Sequence, residues 1–382
     1  MRFTGKNIKM IKVLFLIDSL TGGGAEKVLQ TLVNNLDQNR FQITVQTIDH
    51  TDPGDFLSPG IRYKSINRAA TPLGKRIFSC WLRLCAQLKW IYPLYIRGNY
   101  DIEVAYLECG PTKFLWGSSR RDTLKLAWVH CDLHRRGIPA TPRLRRIYQS
   151  YDRVVCVSES VRESFVRLLG SKPPACVLHN VNDEILIRTR AEAFVPSMPD
   201  VFTFVCVGRL SKEKGLDRLL QACAQLEKKG EVFRLLILGD GPERENLRTL
   251  RNQLRLENHI IFLGYQENPY PYMKAADCVL CSSHYEGMST VVTEALILGK
   301  PVLTTRCAGM EELLGDSEYG LIVENSTGGI FRGMHTFLAN PSLCQHYSNA
   351  AAQRSHLFSK TAIVEQTEQF LISELRKKRS NL

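Results

Sequence analysis

Short apolar runs alternate with polar stretches of helical period along the whole chain. Residues 11–17 read IKVLFLI, the continuous hydrophobic pattern of a parallel strand buried on both faces. The turn Asp18-Ser-Leu-Thr-Gly-Gly-Gly follows, helical periodicity runs over 25–36, and 41–48 reads as a second strand. Further strands are predicted at 100–106, 124–129 and 153–158, the last followed by a capped helix in SESVRESFVRLL. After a loose, proline-bearing stretch, AEAFVPSMPD at 191–200, the alternation resumes. Strands are predicted at 202–207, 234–238, 260–265 and 278–283, with two more in PVLTTR and GLIVE. The tail FSKTAIVEQTEQFLISELRKK is an amphipathic helix. A chain of 382 residues exceeds one ordinary core. The pattern therefore predicts an α/β protein of two doubly wound, Rossmann-like domains facing each other across a cleft, over 1–192 and 193–360, with a terminal helix at 361–382.

Composition narrows the class. Hydrophobic content of 44% with 23% charged residues is that of a folded protein. No apolar run approaches the ~18 residues of a membrane span. The basic start and apolar run of MRFTGKNIKMIKVLFLIDSL are interrupted by Asp18 with no small-residue cleavage site, so a short leader before the first strand is expected rather than a signal peptide. The 12 cysteines lie mostly in apolar runs, as in VVCVS, FVCVG and DCVLC, which indicates reduced buried thiols in a cytoplasmic protein. The close pairs Cys80/Cys85 and Cys278/Cys281 have no second pair or histidines at zinc spacing, so no metal site is expected.

Charge divides unevenly. Residues 1–190 hold 29 Lys+Arg against 16 Asp+Glu, a net of +13, whereas the remainder holds 21 against 22, a net of −1. Two acid-free clusters concentrate the excess. Residues 75–97, KRIFSCWLRLCAQLKWIYPLYIR, interleave five cations with Trp81, Trp90, Tyr92 and Tyr95; the second cluster is Arg135, Arg136, Arg143, Arg145 and Arg146. The first suits either the interface of an anionic membrane or a core helix whose arginines reach out to water.

Chemistry concentrates in 281–303, CSSHYEGMSTVVTEALILGKPVL. Glu286 falls in the loop between a strand and a helix capped by Ser289 or Thr290, and Glu294 falls in that helix's first turns. The helix N-terminus attracts anions, so Gly287, Met288, Ser289 and Thr290 are suited to a diphosphate, with both glutamates free to accept from sugar hydroxyls. Two glutamates alone are also compatible with an ordinary solvated helix. Upstream, Gly208-Arg-Leu-Ser-Lys-Glu-Lys-Gly215 puts Arg209 and Lys214 just before a helix, where two cations neutralise a diphosphate without a metal. His130 follows a strand's carboxyl end, where open α/β sheets bind ligands. GGGAEK at 22–27 is a glycine turn without the dinucleotide or Walker spacing.

Taken together, the two-glutamate segment and the glycine-arginine, lysine-x-lysine-glycine signature resemble retaining glycosyltransferases of the GT-B fold, family 4. The resemblance implies contact of Glu286 with the donor sugar and of Glu294 with the nucleotide ribose. It further implies Arg209 and Lys214 on the phosphates, Gly22, Gly23 and Gly24 approaching the diphosphate, and Tyr265 and Gln266 at the base. His130, in Ala127-Trp128-Val129-His130, is placed beside the transferred sugar for positioning and charge stabilisation. The strand-then-serine segment at 153–158 and PPACVLHNVND at 173–183 resemble the close of the family's first domain, and the terminal helix is expected to pack back toward that domain.

The implied activity is retaining transfer of a hexose-type sugar from a nucleotide-diphosphate sugar, with UDP the expected carrier, to a saccharide or lipid-linked acceptor in cell-surface polysaccharide or glycolipid synthesis. No cofactor is implied; the nucleotide sugar is a co-substrate and the reaction is metal-independent. A nucleotide-sugar epimerase of the same fold is the alternative. An NAD-dependent oxidoreductase lacks its fingerprint, and a nucleic-acid-binding protein lacks a motif to accompany the charge. The expected location is cytoplasmic, peripheral on the inner face of the plasma membrane, with the basic clusters docking either anionic lipid or an anionic acceptor. As a loop residue, Glu286 is expected to contribute little to stability.

Overall fold

The computed structural model describes residues 10–67, 71–87 and 89–382, and the leader expected before residue 10 lies outside them. The chain forms two compact units, one of residues 1–181 with 361–382 and one of 182–360. In the first unit, β1 (Ile11–Ile17), α1 (Gly24–Asn35), β2 (Phe41–Asp49), β3 (Arg62–Asn67), α2 (Pro72–Gln87), α3 (Ile91–Tyr95), β4 (Ile102–Ala105), α4 (Gly110–Leu115), β5 (Leu124–Val129), α5 (Pro142–Tyr148), β6 (Arg153–Cys156), α6 (Glu159–Leu169) and β7 (Ala175–Val177) follow in order. The second unit contains α7 (Glu184–Ala191), β8 (Thr203–Val207), α8 (Leu216–Lys228), β9 (Arg234–Leu238), α9 (Arg244–Gln253), β10 (Ile260–Gly264), α10 (Tyr270–Ala275), β11 (Cys278–Cys281), α11 (Thr290–Ile297), β12 (Val302–Thr305), α12 (Met310–Leu314), β13 (Leu321–Val323), α13 (Thr327–Ala339) and α14 (Pro341–Arg354). The last helix, α15 (Lys360–Ser380), returns to the first unit.

Both sheets are parallel, with order β3-β2-β1-β4-β5-β6-β7 in the first unit and β10-β9-β8-β11-β12-β13 in the second. Each reverses direction beside its first strand, at β1/β4 and at β8/β11, which is the switch point where such sheets bind ligands. Val13 to Ile17 of β1 are fully buried, as is most of β11, which is why these strands read as unbroken apolar runs. The expected doubly wound α/β architecture is the one observed.

Three local features depart from the sequence pattern. The edge strand β3, RYKSIN, has one neighbour and partial burial, so it carries no apolar run. The helix α7 packs on α10 and α11, so the unit boundary falls at 181/182, ahead of the 192/193 position indicated by loose composition. The 75–97 segment is two helices, α2 and α3, separated near Lys89, which has a φ of 60°. Ile77, Trp81, Leu84, Trp90 and Leu94 are exposed on this pair while Leu82 and Cys85 are buried; the side chains of Lys75, Arg76 and Arg83 lie outside the description.

Ion pairs fasten α15 to the first sheet's amino-terminal edge. Glu374, nearly buried, accepts from Arg153 Nε at 2.8 Å and Lys377 Nζ at 2.7 Å, and Lys378 reaches Asp152 at 2.8 Å. Glu368 accepts from Arg40 at 2.9 Å and from the Asp37 amide at 2.6 Å. Burial alone would raise the Glu374 carboxyl, but hydrogen bonds from Arg153 and Lys377 outweigh it and hold it below the ordinary carboxylate range. Such a depressed group stabilises the fold above the unfolded value of about 4.3, and the contribution is lost as pH falls through the lower folded value. Arg153→Met should therefore cost about 2 kcal/mol at pH 7 by leaving nearly buried Glu374 with Lys377 as its one remaining cationic partner among the described residues. Denaturant midpoints of the two proteins should converge only as pH falls through the depressed folded value, where Glu374 becomes protonated in the native state as well.

Candidate functional site

The second unit's site is assembled from two loops at the carboxyl end of its sheet. A single-turn 3₁₀ helix at Lys212–Lys214 ends in Gly215, whose φ is 59°. A β-carbon on Gly215 would stand 2.5 Å from the Ser282 carbonyl oxygen, so only glycine lets this loop press against the segment after β11. Ser282 Oγ donates to the Lys214 carbonyl at 2.8 Å, Arg218 donates to the Ser282 carbonyl at 2.9 Å, and the His284 amide donates to the Glu213 carbonyl at 2.8 Å. The stitched loops bring Lys214 Nζ within 2.7 Å of Glu286 Oε1. Ser283 Oγ donates to the same carboxylate oxygen at 2.6 Å, and Thr305 Oγ1 holds the Ser283 carbonyl at 2.7 Å.

Glu286 is thus a tied group, 14% exposed, and not the loosely held loop carboxylate that sequence position suggested. Burial alone would lower the Lys214 ammonium, but the adjacent Glu286 carboxylate overrides it and holds Lys214 above its ordinary range. Arg209 is exposed, and it lines with Lys214, Ser283, Ser289 and Val291 a cavity of about 10 Å³, room for one water. Lys212 points to solvent. Ser289 caps α11 by accepting from the Val292 amide at 3.4 Å, so Gly287, Met288 and Thr290 lie at that helix's N-terminus. Glu294, expected to be open to sugar hydroxyls, is 4% exposed and accepts from Tyr270 Oη at 3.0 Å. Tyr265 is 66% exposed, whereas Gln266 donates to the Leu263 carbonyl at 2.8 Å.

At the carboxyl end of the first sheet, the Asp49 amide donates to the Asp18 carbonyl at 2.9 Å, bringing the residue after β1 and the last residue of β2 together, close enough for the Asp49 charge to push the Asp18 carboxyl up. Gly22, Gly23 and Gly24 form the turn into α1, but Glu26 bends back and takes the Gly23 amide. Ser19 Oγ also donates to Glu26 at 3.0 Å. The glycine turn implied as a diphosphate cradle therefore holds one of the chain's own carboxylates, which an anion must displace.

His130 follows β5 and packs its ring on Tyr106 with centroids 4.8 Å apart. Its amide donates to Glu108 Oε2 at 3.0 Å, and Glu108 also accepts from Arg136 at 2.6 Å and from the Cys131 thiol at 3.0 Å. His130 Nε2 is shielded from solvent without a partner. Burial pushes the imidazole down to about 4 despite Glu108 nearby, so the ring is neutral at pH 7. His130 is accordingly fitted for positioning, and charge stabilisation by an imidazolium is set aside. The second basic cluster is also partly spent: Arg136 serves Glu108, and Arg145 donates to the Leu168 carbonyl at 2.8 Å.

Sequence reasoning missed Ser282, Ser283 and Thr305, whose roles follow from loop packing. Asp18, Asp49 and Glu108 carried a usable signal, since the two aspartates lie at strand ends on the ligand-binding edge. Among the described residues, no three His, Cys, Asp or Glu side chains are arranged so that they could hold a metal ion.

The family described as "Glycosyltransferase Family 4" matches residues 22–184, and "Glycosyl transferases group 1" matches residues 189–354. The chain is 32% identical over 229 residues to the N-acetylgalactosamine-N,N'-diacetylbacillosaminyl-diphospho-undecaprenol 4-alpha-N-acetylgalactosaminyltransferase of Campylobacter jejuni, covering 59% of this chain and 61% of that one. The match thus spans less than two thirds of that relative's own length. An uncharacterized glycosyltransferase of Haemophilus influenzae is 29% identical, covering 94% and 99% of the two chains. Among solved structures, Anabaena HepE in complex with UDP and glucose superposes with a TM-score of 0.75 at 21% identity, covering 95% of this chain and 100% of that one. That likeness establishes a shared fold.

The Lys214–Glu286 pair is energetically coupled, and a double-mutant cycle measures it. Lys214→Met should cost about 2–4 kcal/mol, because it strands a nearly buried carboxylate. Adding Glu286→Met should return part of that loss, with a coupling energy of about 2 kcal/mol by urea unfolding. Additive single effects would show the pair to be energetically idle.

Proposed function

The chain belongs to the GT-B glycosyltransferases, and from that premise we propose that it moves a hexose-type sugar, with retention of anomeric configuration, from a UDP-sugar to a saccharide or lipid-linked acceptor in cell-surface polysaccharide or glycolipid synthesis. The observation that carries the reading is the Lys214–Glu286 ion pair beside the exposed Arg209, at the carboxyl end of a parallel sheet. Cations there balance the diphosphate, and the carboxylate meets sugar hydroxyls. Support for UDP comes from the UDP held by the Anabaena protein of the same fold, and support for a lipid-linked acceptor from the diphospho-undecaprenol in the Campylobacter enzyme's name.

In the proposed step the acceptor hydroxyl attacks the anomeric carbon on the face the diphosphate leaves. The carbon–oxygen bond to phosphate breaks, the bond to the acceptor oxygen forms, and the hydroxyl proton passes to the departing phosphate oxygen. Arg209 and Lys214 stabilise the charge that develops on the diphosphate, aided by the α11 N-terminus at Gly287 to Thr290. Glu286 orients the sugar, Glu294 the ribose, and Tyr265 with Gln266 the base. Neutral His130, at the carboxyl end of the first unit's sheet, is assigned a positioning role. Metal independence belongs to the same reading, since side-chain cations supply the charge compensation.

The protein is further proposed to work at an anionic bilayer. No described helix is long and apolar enough to cross a membrane. Exposed Trp81 and Trp90 accompany the exposed cations Lys89 and Arg97 on the α2–α3 segment, the combination an anionic interface attracts.

Nucleotide-sugar binding is read by thermal stabilisation: a UDP-sugar at ~100 times its dissociation constant should add about 2.7 kcal/mol, more than matched GDP- or ADP-sugars. Transfer should persist in EDTA and fall at least a hundredfold in Glu286→Ala, with the product's anomeric configuration, read by NMR, unchanged from the donor's. Epimerised nucleotide sugar without transfer would favour the epimerase, and activity restored only by manganese or magnesium would refute the roles of Arg209 and Lys214.

Vesicle co-sedimentation tests the bilayer reading. Wild type should pellet with phosphatidylglycerol vesicles but not phosphatidylcholine, and Trp90→Ala combined with Lys89→Glu and Arg97→Glu should release it. Wild type remaining in the supernatant at low salt would overturn docking.

A further inference from the structure

At the carboxyl end of the first unit's sheet lies a half-open cavity of about 760 Å³, and its lining is chemically mixed. Asp18 and Asp49 form one side. Asp49 is held by Asn67 Nδ2 at 3.0 Å, whereas no described residue donates a hydrogen bond to the Asp18 carboxylate. Lys113, from α4, and Arg143, from α5, supply the opposite sign; both are exposed and neither pairs with a carboxylate among the described residues. The apolar wall includes Leu82, from the helix whose outer face carries exposed Ile77, Trp81 and Leu84.

The open Asp18 carboxylate is held in place by its surroundings. A β-carbon on Gly110 would stand 2.3 Å from Asp18 Oδ1, so glycine at that position makes room for the carboxylate at the cavity wall. The neighbouring Cys109 has a φ of 72°, an unfavourable conformation for a side-chain-bearing residue at the start of α4. Burial first, then the nearby Glu108 and Asp49, push the Asp18 carboxyl up to about 6, with Arg136 opposing. A carboxylate kept under such repulsion, with no internal donor, is stabilised by a ligand's hydroxyl hydrogens.

We infer that this cavity binds the acceptor as a lipid-borne glycosyl diphosphate: sugar hydroxyls on Asp18 and Asp49, the diphosphate between Lys113 and Arg143, and the first isoprenoid-like carbons along the Leu82 wall. The inference rests on the transferase reading for the word acceptor, but the binding it describes needs no donor. A neutral saccharide would leave both cations unused, and a free diphosphate would leave the carboxylates and apolar wall unused. Asp18 is a positioning and binding group for the acceptor hydroxyl.

The test is equilibrium binding to the full chain in neutral detergent, without nucleotide. The probes are farnesyl-diphospho-N-acetylglucosamine, farnesyl diphosphate, octyl glucoside and inorganic diphosphate. The glycosyl diphosphate lipid should bind at least tenfold more tightly than any other probe. Lys113→Glu with Arg143→Glu should weaken it at least tenfold, and Asp18→Asn at least fivefold while leaving farnesyl diphosphate unchanged. Asp18→Asn should be at least as thermostable as wild type at pH 7.5, because the raised carboxyl destabilises the fold as pH rises through about 6, which separates lost recognition from misfolding. Equal affinity for octyl glucoside, inorganic diphosphate binding as tightly as the lipid, or insensitivity to the charge reversal would each overturn the assignment. Stabilisation by UDP, measured in every variant, reports the second unit independently. UDP binding with no lipid response sinks this inference alone, and lipid binding with no nucleotide response sinks the transferase reading alone.

Discussion

An all-parallel sheet has to be buried on both faces, and this constraint decides where the protein can keep its chemistry. The interior strands carry side chains such as Val13 to Ile17 and Val279 that are wholly removed from water. Their faces are committed mainly to packing, and the Glu103 carboxyl buried in β4 is kept there only with a hydrogen bond from Tyr92. Polar function is therefore displaced to the loops at the strand ends, above all beside the reversal of strand order. Asp18 and His130 follow β1 and β5, Asp49 ends β2, and the 208–215 and 282–289 loops follow β8 and β11. These strand-end groups sit at an edge because the packed faces of the sheet favour apolar side chains.

The two units handle charge at that edge in opposite ways. In the second, opposite charges are close: Lys214 and Glu286 satisfy each other, with Ser283 completing the carboxylate's bonding. The carboxylate beside it keeps the Lys214 ammonium charged despite burial, so a cation is ready for phosphate. In the first, like charges crowd together at Asp18, Asp49 and Glu108, relieved only in part by Arg136. Repulsion of that sort lowers stability and is characteristic of a surface that awaits a ligand's donors.

The basic excess of the first half likewise divides once contacts are known. Arg40 and Arg153 anchor α15, Arg136 serves Glu108, and Arg145 closes the end of α6. Lys113 and Arg97 remain exposed, and Lys89 and Arg143, also exposed, lie over the Trp116 ring at 4.3 and 5.8 Å from its centroid. A net charge counted along the chain mixes structural cations with those open to a partner, and only the second kind bears on what the protein binds.

The sequence by itself determined the α/β class, the number of units and most strand positions, because burial on both faces writes an apolar run that needs no tertiary information to read. It also marked Arg209, Lys214, Glu286 and Ser289, since glycine turns and helix caps are local devices with local spacing. It did not show β3, whose single neighbour leaves RYKSIN half polar, nor α7, whose packing partners α10 and α11 lie some 80 to 100 residues downstream. Tertiary structure alone decided that Glu286 is tied to Lys214, that Glu294 is buried beside Tyr270, that Glu26 fills the first glycine turn and that His130 is neutral. Each of these depends on which loops are pressed together and on how much water is excluded between them. Desolvation and ion pairing act through space, so the same residue at the same sequence position can be a solvated carboxylate or a buried half of a pair.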